Sequence, residues 1–382
     1  NHRTPMEPKG RNFGGSELSW GGRGGIMSGR VEPPCPHYRD DECGGCQLQH
    51  LTPLAQAEVR RAVVGDALRR IAKVEVADPP MTNAAVEWGY RAKITLTRGP
   101  SGAIGFHRVE QPGQIVPIER CPIAAPALNA LWARVRSVAS LPSNLERVVL
   151  RLDRTGGEHL VIETGDGRAW DEGKALHGAA QGAAALTVWW RPPGAAARVV
   201  AGPDSAFPAL AFEQVNPTMG DRVRAHAVAA LGDVIGRRVW DLYSGIGETS
   251  TLLAERGAAQ VISVERDREA MAEAGRRQAG HGRRIERVVG LAERVVGSLG
   301  PPDLVIANPP RTGLADPVVA EIGRRAPERI VYVSCDPATL ARDVKLLAAY
   351  GYELRAVTVL DMFPQTFHVE TVAELDLVVS VS

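Results

Sequence analysis

Cysteine occurs only five times in the 382 residues, at positions 35, 43, 46, 121 and 335. Three of the five crowd between Cys35 and Cys46, and in a reducing compartment that spacing reads as ligation of a metal or cluster before disulfides. Cys335 stands apart. It ends the apolar run Arg329–Ser334 and is followed by Asp336 and Pro337, the opening of a helix. A thiol there feels the positive end of the helix dipole, which favours thiolate and nucleophilic chemistry; the alternative is the buried small hydrophobe that most free cysteines are. Near the C-terminus His368 and Glu370 lie two apart, so in an extended segment they share a face, and either could accept a proton. Taken singly, the same two residues read as surface groups.

A second group suits a cofactor. The strand ending at Tyr243 runs into Ser244-Gly245-Ile246-Gly247-Glu248, where glycines let the backbone turn tightly and approach a ligand. Ser250 stands where a dinucleotide fingerprint has its third glycine, which weakens an NAD reading and leaves it open. Eighteen residues after Gly247, Glu265 ends the next strand, placed to accept hydrogen bonds from both ribose hydroxyls. The pair suits an adenosyl ligand. Asn308-Pro309-Pro310-Arg311 follows the apolar strand 303–307 directly, in the cleft beside such a ligand, and the prolines stiffen the loop that aims Asn308.

These groups need a scaffold of the α/β class. Apolar runs at Arg238–Leu242, Gln260–Glu265, 303–307, Arg329–Ser334 and 357–360 alternate with helical segments, which predicts a parallel sheet after about residue 211. Between about 82 and 210, runs such as 93–97, 148–152 and 186–190 alternate with Gly and Pro, a mostly β region. Leu54, Val59, Val63, Leu68 and Ile71 recur at near-helical spacing and predict an amphipathic helix over about 52–73. Residues 1–30, rich in Gly, Ser, Arg and Pro, read as a flexible tail. With 44% hydrophobic and 23% charged residues the composition is that of a globular protein, and a net charge of +1 makes no global case for a polyanion partner. No run of roughly 20 apolar residues predicts a membrane span, and the start lacks a signal-peptide layout. A cytoplasmic protein is expected.

Taken together, the segments resemble the SAM-dependent RNA uracil-5 methyltransferases, which make 5-methyluridine in ribosomal and transfer RNA. The resemblance covers residues 31–382. It rests on Cys35-x7-Cys43-x2-Cys46 with Cys121-Pro122-Ile123, on Phe212-Glu213-Gln214-Val215-Asn216, on the 241–247 turn, on Asn308-Pro309-Pro310-Arg311-Thr312-Gly313, on Ser334-Cys335-Asp336-Pro337 and on His368-Val369-Glu370. It implies a C-terminal class I, Rossmann-like methyltransferase domain over 211–382, preceded over 31–210 by a mostly β, RNA-binding region with an iron-sulfur cluster loop. By the resemblance Cys35, Cys43, Cys46 and Cys121 ligate a four-iron four-sulfur cluster. Zinc on the same four is the alternative, although structural zinc usually joins two close Cys pairs and Cys121 has no near partner.

The resemblance also implies that S-adenosylmethionine (SAM) is bound by Gln214, Tyr243, Gly245, Gly247, Glu248, Glu265 and Asn308. Cys335 adds to C6 of uracil, and Glu370 removes the C5 proton after methyl transfer. Asn308 has the donor and acceptor to read the uracil N3–H and O4, and Arg311 could stabilise charge on O4. Relatives often carry an acid where Leu291 stands. Many also carry an N-terminal RNA-binding barrel, for which residues 1–30 are too few and too Gly-rich, so RNA affinity falls to the β-rich region and to Arg91, Lys93, Arg98 and Arg108. A flipped or single-stranded uridine in structured RNA is the expected substrate, in 23S rRNA before tRNA, and a monomer is expected. An amino methyltransferase that holds a nitrogen on Asn308-Pro309-Pro310 and a non-catalytic iron-sulfur assembly factor are the competing readings.

Overall fold

The computed structural model describes residues 29–39, 43–109, 111–138, 141–205 and 214–378. Nearly all of the expected tail, the expected boundary near 210, and Phe212 and Glu213 of the resemblance lie outside the described residues. The strands in chain order are β1 (Met81–Thr82), β2 (Lys93–Arg98), β3 (Ile104–His107), β4 (Ile115–Pro117), β5 (Leu145–Leu152), β6 (Glu158–Thr164), β7 (Leu186–Arg191), β8 (Arg198–Ala201), β9 (Arg238–Leu242), β10 (Gln260–Glu265), β11 (Ile285–Val289), β12 (Leu304–Ala307), β13 (Arg329–Ser334), β14 (Tyr352–Leu360) and β15 (Glu370–Leu377).

They form two sheets. One has the order β1-β14-β15-β13-β12-β9-β10-β11, and its middle strands are apolar throughout because helices cover both faces. Successive strands wind outward in one direction from β9 to β11 and in the other from β12 onward, so the topological switch point lies between β9 and β12. In such sheets the ligand cleft lies outside the carboxyl ends at that point. The sheet is mixed, where the sequence predicts a parallel one: β15 runs antiparallel between β13 and β14. The cause is the connection, since the short loop 361–369 permits a hairpin return, whereas a parallel neighbour needs a long crossover.

The helices that wind this sheet start on sequence signals. Asp336 caps Pro337–Ala348 by accepting from the Thr339 N–H at 2.8 Å, with Pro337 in the first turn. Asn216 caps Pro217–Ala230 in the same way.

The second sheet, β4-β3-β2-β5-β6-β7-β8, is antiparallel except for β6 and β7, which are joined through the helix Gly173–Ala180. Leu128, Leu131, Trp132 and Val135 of the helix Pro126–Arg136 cover one face. The helix expected over 52–73 forms as Pro53–Ala67 with a π turn over Leu68–Ala72. Val64 and Leu68 pack in one core with Trp240, Val305 and Tyr332 of the first sheet, and β1 extends that sheet at the β14 edge. Residues on the near side of the β-rich region in sequence are thus part of the sheet on its far side.

Candidate active site

At the carboxyl end of β9 the chain turns through left-handed backbone at Tyr243, Gly245 and Gly247 (φ 63°, 56° and 77°). A Cβ on Gly247 would meet the Gln278 amide at 2.2 Å and Ala274 at 2.9 Å, so only glycine fits there. Glu265, at the end of β10, accepts the Gly245 N–H at 3.0 Å through one oxygen and the Asp267 N–H at 2.9 Å through the other. Each oxygen keeps lone pairs for further donors, as a ribose diol requires. Asp241 is fully sequestered below the turn; burial pushes its carboxyl up to about 7, with the Glu265 charge adding to the effect, while the Ser250 hydroxyl donates to it at 2.5 Å. Tyr243 is pushed up to about 12 by burial and then by the charge of Glu293. Glu265 and Glu293 put negative charge beside the turn, an environment suited to a cationic ligand.

Glu248 opens the helix Glu248–Glu255, but its carboxylate is engaged by Arg154 at 2.8 Å, Arg224 at 2.8 Å and Arg277 at 3.3 Å. Gln214 lies beside Gly220, whose Cβ would meet the Gln214 Cβ at 2.9 Å. Asn308 follows β12, with its backbone N–H on the Leu242 carbonyl at 3.1 Å and its side chain exposed.

The loop 308–314 is clamped to the helix Pro337–Ala348. Buried Asp343 accepts the Leu314 N–H at 2.8 Å and the Tyr332 hydroxyl at 2.6 Å, Arg342 donates to the Thr312 carbonyl at 2.9 Å, and Thr339 donates to the Arg311 carbonyl at 3.0 Å. Gly313 (φ 78°) has no room for a Cβ beside Thr339 and Asp343. This clamp presents Arg311 to Cys335.

Cys335 and Glu370 come from neighbouring strands. Ser334, the last residue of β13, is paired with Thr371 in the antiparallel β13/β15 ladder, and the Thr371 hydroxyl donates to the Ser334 carbonyl at 2.9 Å. One step further, Cys335 leaves the sheet where Glu370 enters it. Burial and then the charge of Glu370 push the thiol up, while the Arg311 guanidinium, hydrogen-bonded to it, pulls the other way. The helix-dipole argument predicts a lowered thiol; burial and the neighbouring acid raise it instead. Glu370 is 2% exposed, and burial pushes its carboxyl up to about 8. His368 is lowered by burial and by the nearby charges of Arg311 and Arg91, and its ring meets Phe363 edge-on at 5.9 Å.

The four remaining cysteines line one cavity of about 460 Å³ together with Arg91 and Lys93. Cys35 and Cys46 are buried, and Cys43 and Cys121 partly so. Burial, with the other three thiols adding, pushes Cys46 up to about 12; burial also raises Cys121, against hydrogen bonds from the backbone at Ala124 and Ile123. Among the described residues no group of three or more His, Cys, Asp and Glu side chains is drawn together to hold a metal ion. The thiols converge on one space without closing on one point.

The family model for tRNA (Uracil-5-)-methyltransferase matches residues 301–376, the stretch that holds the 308–314 loop, Cys335 and Glu370. The 23S rRNA (uracil(1939)-C(5))-methyltransferase RlmD of Thiobacillus denitrificans is 32% identical, over 90% of this chain and 85% of that protein. The chain belongs to the RNA uracil-C5 methyltransferase family. An RlmD of Azoarcus sp. is likewise 32% identical over 90% of this chain and 85% of its own length. Among solved structures, the Pyrococcus abyssi tRNA (uracil-54, C5)-methyltransferase in complex with S-adenosyl-L-homocysteine matches 87% of this chain and 86% of its own, at 27% identity and a TM-score of 0.69. The fold of this uracil-C5 methyltransferase is therefore the α/β fold of that enzyme, with its mixed sheet.

Residue by residue, the family resemblance leaves three gaps that the structure addresses. Leu291 stands where the resemblance implies an acid, yet Glu293 in the first turn of Ala292–Val295 reaches the neighbourhood of Tyr243; an acid opening a helix was the available signal. Asp241 is the second missed acid, hidden inside an apolar strand. Of the basic residues expected to meet RNA, Arg98 is occupied by the Pro142 and Ser143 carbonyls at 2.9 and 3.3 Å, whereas Arg91 and Lys93 line the cysteine cavity.

Proposed function

We propose that this protein transfers a methyl group from SAM to C5 of a uridine in RNA, with 23S rRNA as the substrate class the bacterial relatives indicate. The observation that carries the reading is the meeting of Cys335, Arg311 and Glu370 at the carboxyl edge of the sheet, beside a cradle of Gly245, Gly247 and Glu265. The cradle fits an adenosyl ligand: position 247 requires glycine, Gly245 faces open space, a two-oxygen acceptor stands at the end of β10, and Glu293 adds negative charge. SAM supplies an electrophilic methyl group there.

C5 of uracil is a weak nucleophile, so the protein must activate it. Once its proton is lost to solvent, the Cys335 thiolate bonds to C6, and the electron pair of the C5–C6 double bond becomes available at C5 and O4. Arg311 stabilises both the thiolate and the charge that develops on O4. C5 then takes the methyl group as the sulfonium–methyl bond breaks, leaving the neutral thioether S-adenosylhomocysteine, and carries both methyl and proton. The Glu370 carboxylate removes that proton, the C5–C6 double bond re-forms, and the Cys335–C6 bond breaks to return the thiolate. The target base must be out of any stack for C5 and C6 to reach this cleft.

Cys35, Cys43, Cys46 and Cys121 would hold a four-iron four-sulfur cluster. What supports this is an all-thiol donor set around one cavity, with backbone N–H groups at Cys121.

RNA with 5-fluorouridine at the target tests the mechanism, since fluorine replaces the proton that the base removes. The expected result is a covalent, methylated protein–RNA adduct whose crosslinked peptide contains Cys335, and no adduct or turnover in Cys335→Ala. A crosslink at another cysteine refutes the nucleophile, and turnover surviving in Cys335→Ala would favour amino-group methylation.

A further inference from the structure

The loop 361–369 that delivers Glu370 to the cleft is held largely from outside the catalytic sheet. Gln56, 2% exposed on the helix Pro53–Ala67, grips it with both ends of its carboxamide. Its oxygen accepts the Gln365 N–H at 3.1 Å, and its nitrogen donates to the Gln365 side-chain oxygen at 2.9 Å and to the Leu51 carbonyl at 3.0 Å. The Gln365 carbonyl is held in turn by the N–H groups of Gln47 and Leu48, at 3.1 and 3.0 Å. The Tyr90 hydroxyl donates to the Pro364 carbonyl at 3.0 Å. At the centre of these bonds Gln365 adopts a left-handed backbone, φ 71°. A non-glycine residue stays in that conformation only where its surroundings over-determine it.

An apolar residue would satisfy the packing at position 56. A carboxamide is needed only because the loop presents a buried donor and a buried acceptor together. We infer that Gln56 is a positioning residue for proton abstraction: by fixing Gln365 it sets the path of the loop and hence where the Glu370 carboxylate stands relative to the Cys335-bound uracil. The inference rests on Glu370 being the proton acceptor. Displacement by about 1 Å is enough to slow a step of this kind as much as 100-fold.

The test uses the full chain, SAM and target RNA under single-turnover conditions, following methyl transfer and the resolution of the covalent adduct separately. Gln56→Leu is expected to keep the KM for RNA and the methyl-transfer rate within about two-fold of wild type while adduct resolution, and kcat with it, slows roughly 10- to 100-fold. Gln365→Met, which removes one of the two side-chain bonds, should slow resolution less, and the double variant little more than Gln56→Leu alone. Gln365→Met also decides the matter if Gln56→Leu does not fold. Glu370→Gln runs beside them. If it stalls on the adduct while both glutamine variants resolve at the wild-type rate, or slow both steps equally, the positioning role is refuted and Glu370 stands. If Glu370→Gln resolves normally, the role of Glu370 falls, and that of Gln56 with it.

Discussion

Glu370 is a carboxylic acid that the fold keeps from ionising, and this leaves a signature in stability as well as in catalysis. Its folded value of about 8 exceeds the ordinary 4.5, so between those two pH values the folded chain holds a proton that the unfolded chain has lost. Stability from this group is therefore complete at acid pH, falls as pH rises through that window, and is gone above it. Glu370→Gln cannot ionise and escapes the loss. Scanning calorimetry should find the variant melting level with wild type near pH 4 and several degrees higher at about pH 9; a difference independent of pH would mean that Glu370 is not a buried neutral acid. The same rise makes adduct resolution faster toward alkaline pH in wild type. Cys335 and Glu370 were legible as candidates, a thiol at a strand end before Asp-Pro and an acid two residues from a histidine, but taken singly they read as a buried hydrophobe and a surface group, and their roles come only with the family resemblance. Asp241 and Glu293 were not, since an acid inside or just after an apolar segment reads as a solvated strand end until burial is known.

The helix Pro53–Ala67 shows at the scale of an element where periodicity misleads. Its existence and length follow from the spacing of apolar residues and from Thr52 before Pro53, whose hydroxyl accepts the Ala55 N–H. Its face does not. Leu54 is 72% exposed, while the buried side carries Gln56 and Arg60, each 2% exposed, beside Val64 and Leu68. Hydrophobic patterning assumes that buried means apolar, an assumption that fails wherever a helix holds a loop by its polar groups. Arg60 donates to Asp361 at 2.6 Å and to the Phe363 carbonyl at 3.3 Å. Burial lowers the arginine and raises the aspartate even against their mutual attraction, so the pair pays for desolvation on both sides. Arg60→Met alone is then expected to destabilise by about 3–5 kcal/mol, because it strands a buried carboxylate, whereas Arg60→Met with Asp361→Leu should recover most of that loss. Urea unfolding of the two singles and the double measures it; additive losses would mean that the charges do not depend on each other.

Across the whole molecule, the cysteine loop, the β-rich sheet and the catalytic sheet meet around the 361–369 loop. Gln47 and Leu48, directly after Cys46, bond to Gln365; Tyr90, just before β2, bonds to Pro364; and the Ala92 N–H meets the Val215 carbonyl at 2.7 Å. Long-range convergence of this kind leaves no local pattern, and the two residues of β1 are too few for any periodicity, so the sequence shows the parts and not their joints. The joints carry a consequence for the cysteine centre. If the four thiols share one cluster, the protein purified without oxygen should carry about four iron atoms per chain, and the cluster should hold the segment from Cys43 to Leu48 against the loop. Removing iron with a chelator is then expected to raise hydrogen exchange at the amides of 47–48 and 365–366 while β12 and β13, deep in the sheet, stay protected. Stoichiometric zinc without iron would overturn the cluster. Iron whose removal leaves exchange at 365–366 unchanged would detach the cysteine centre from the placement of Glu370.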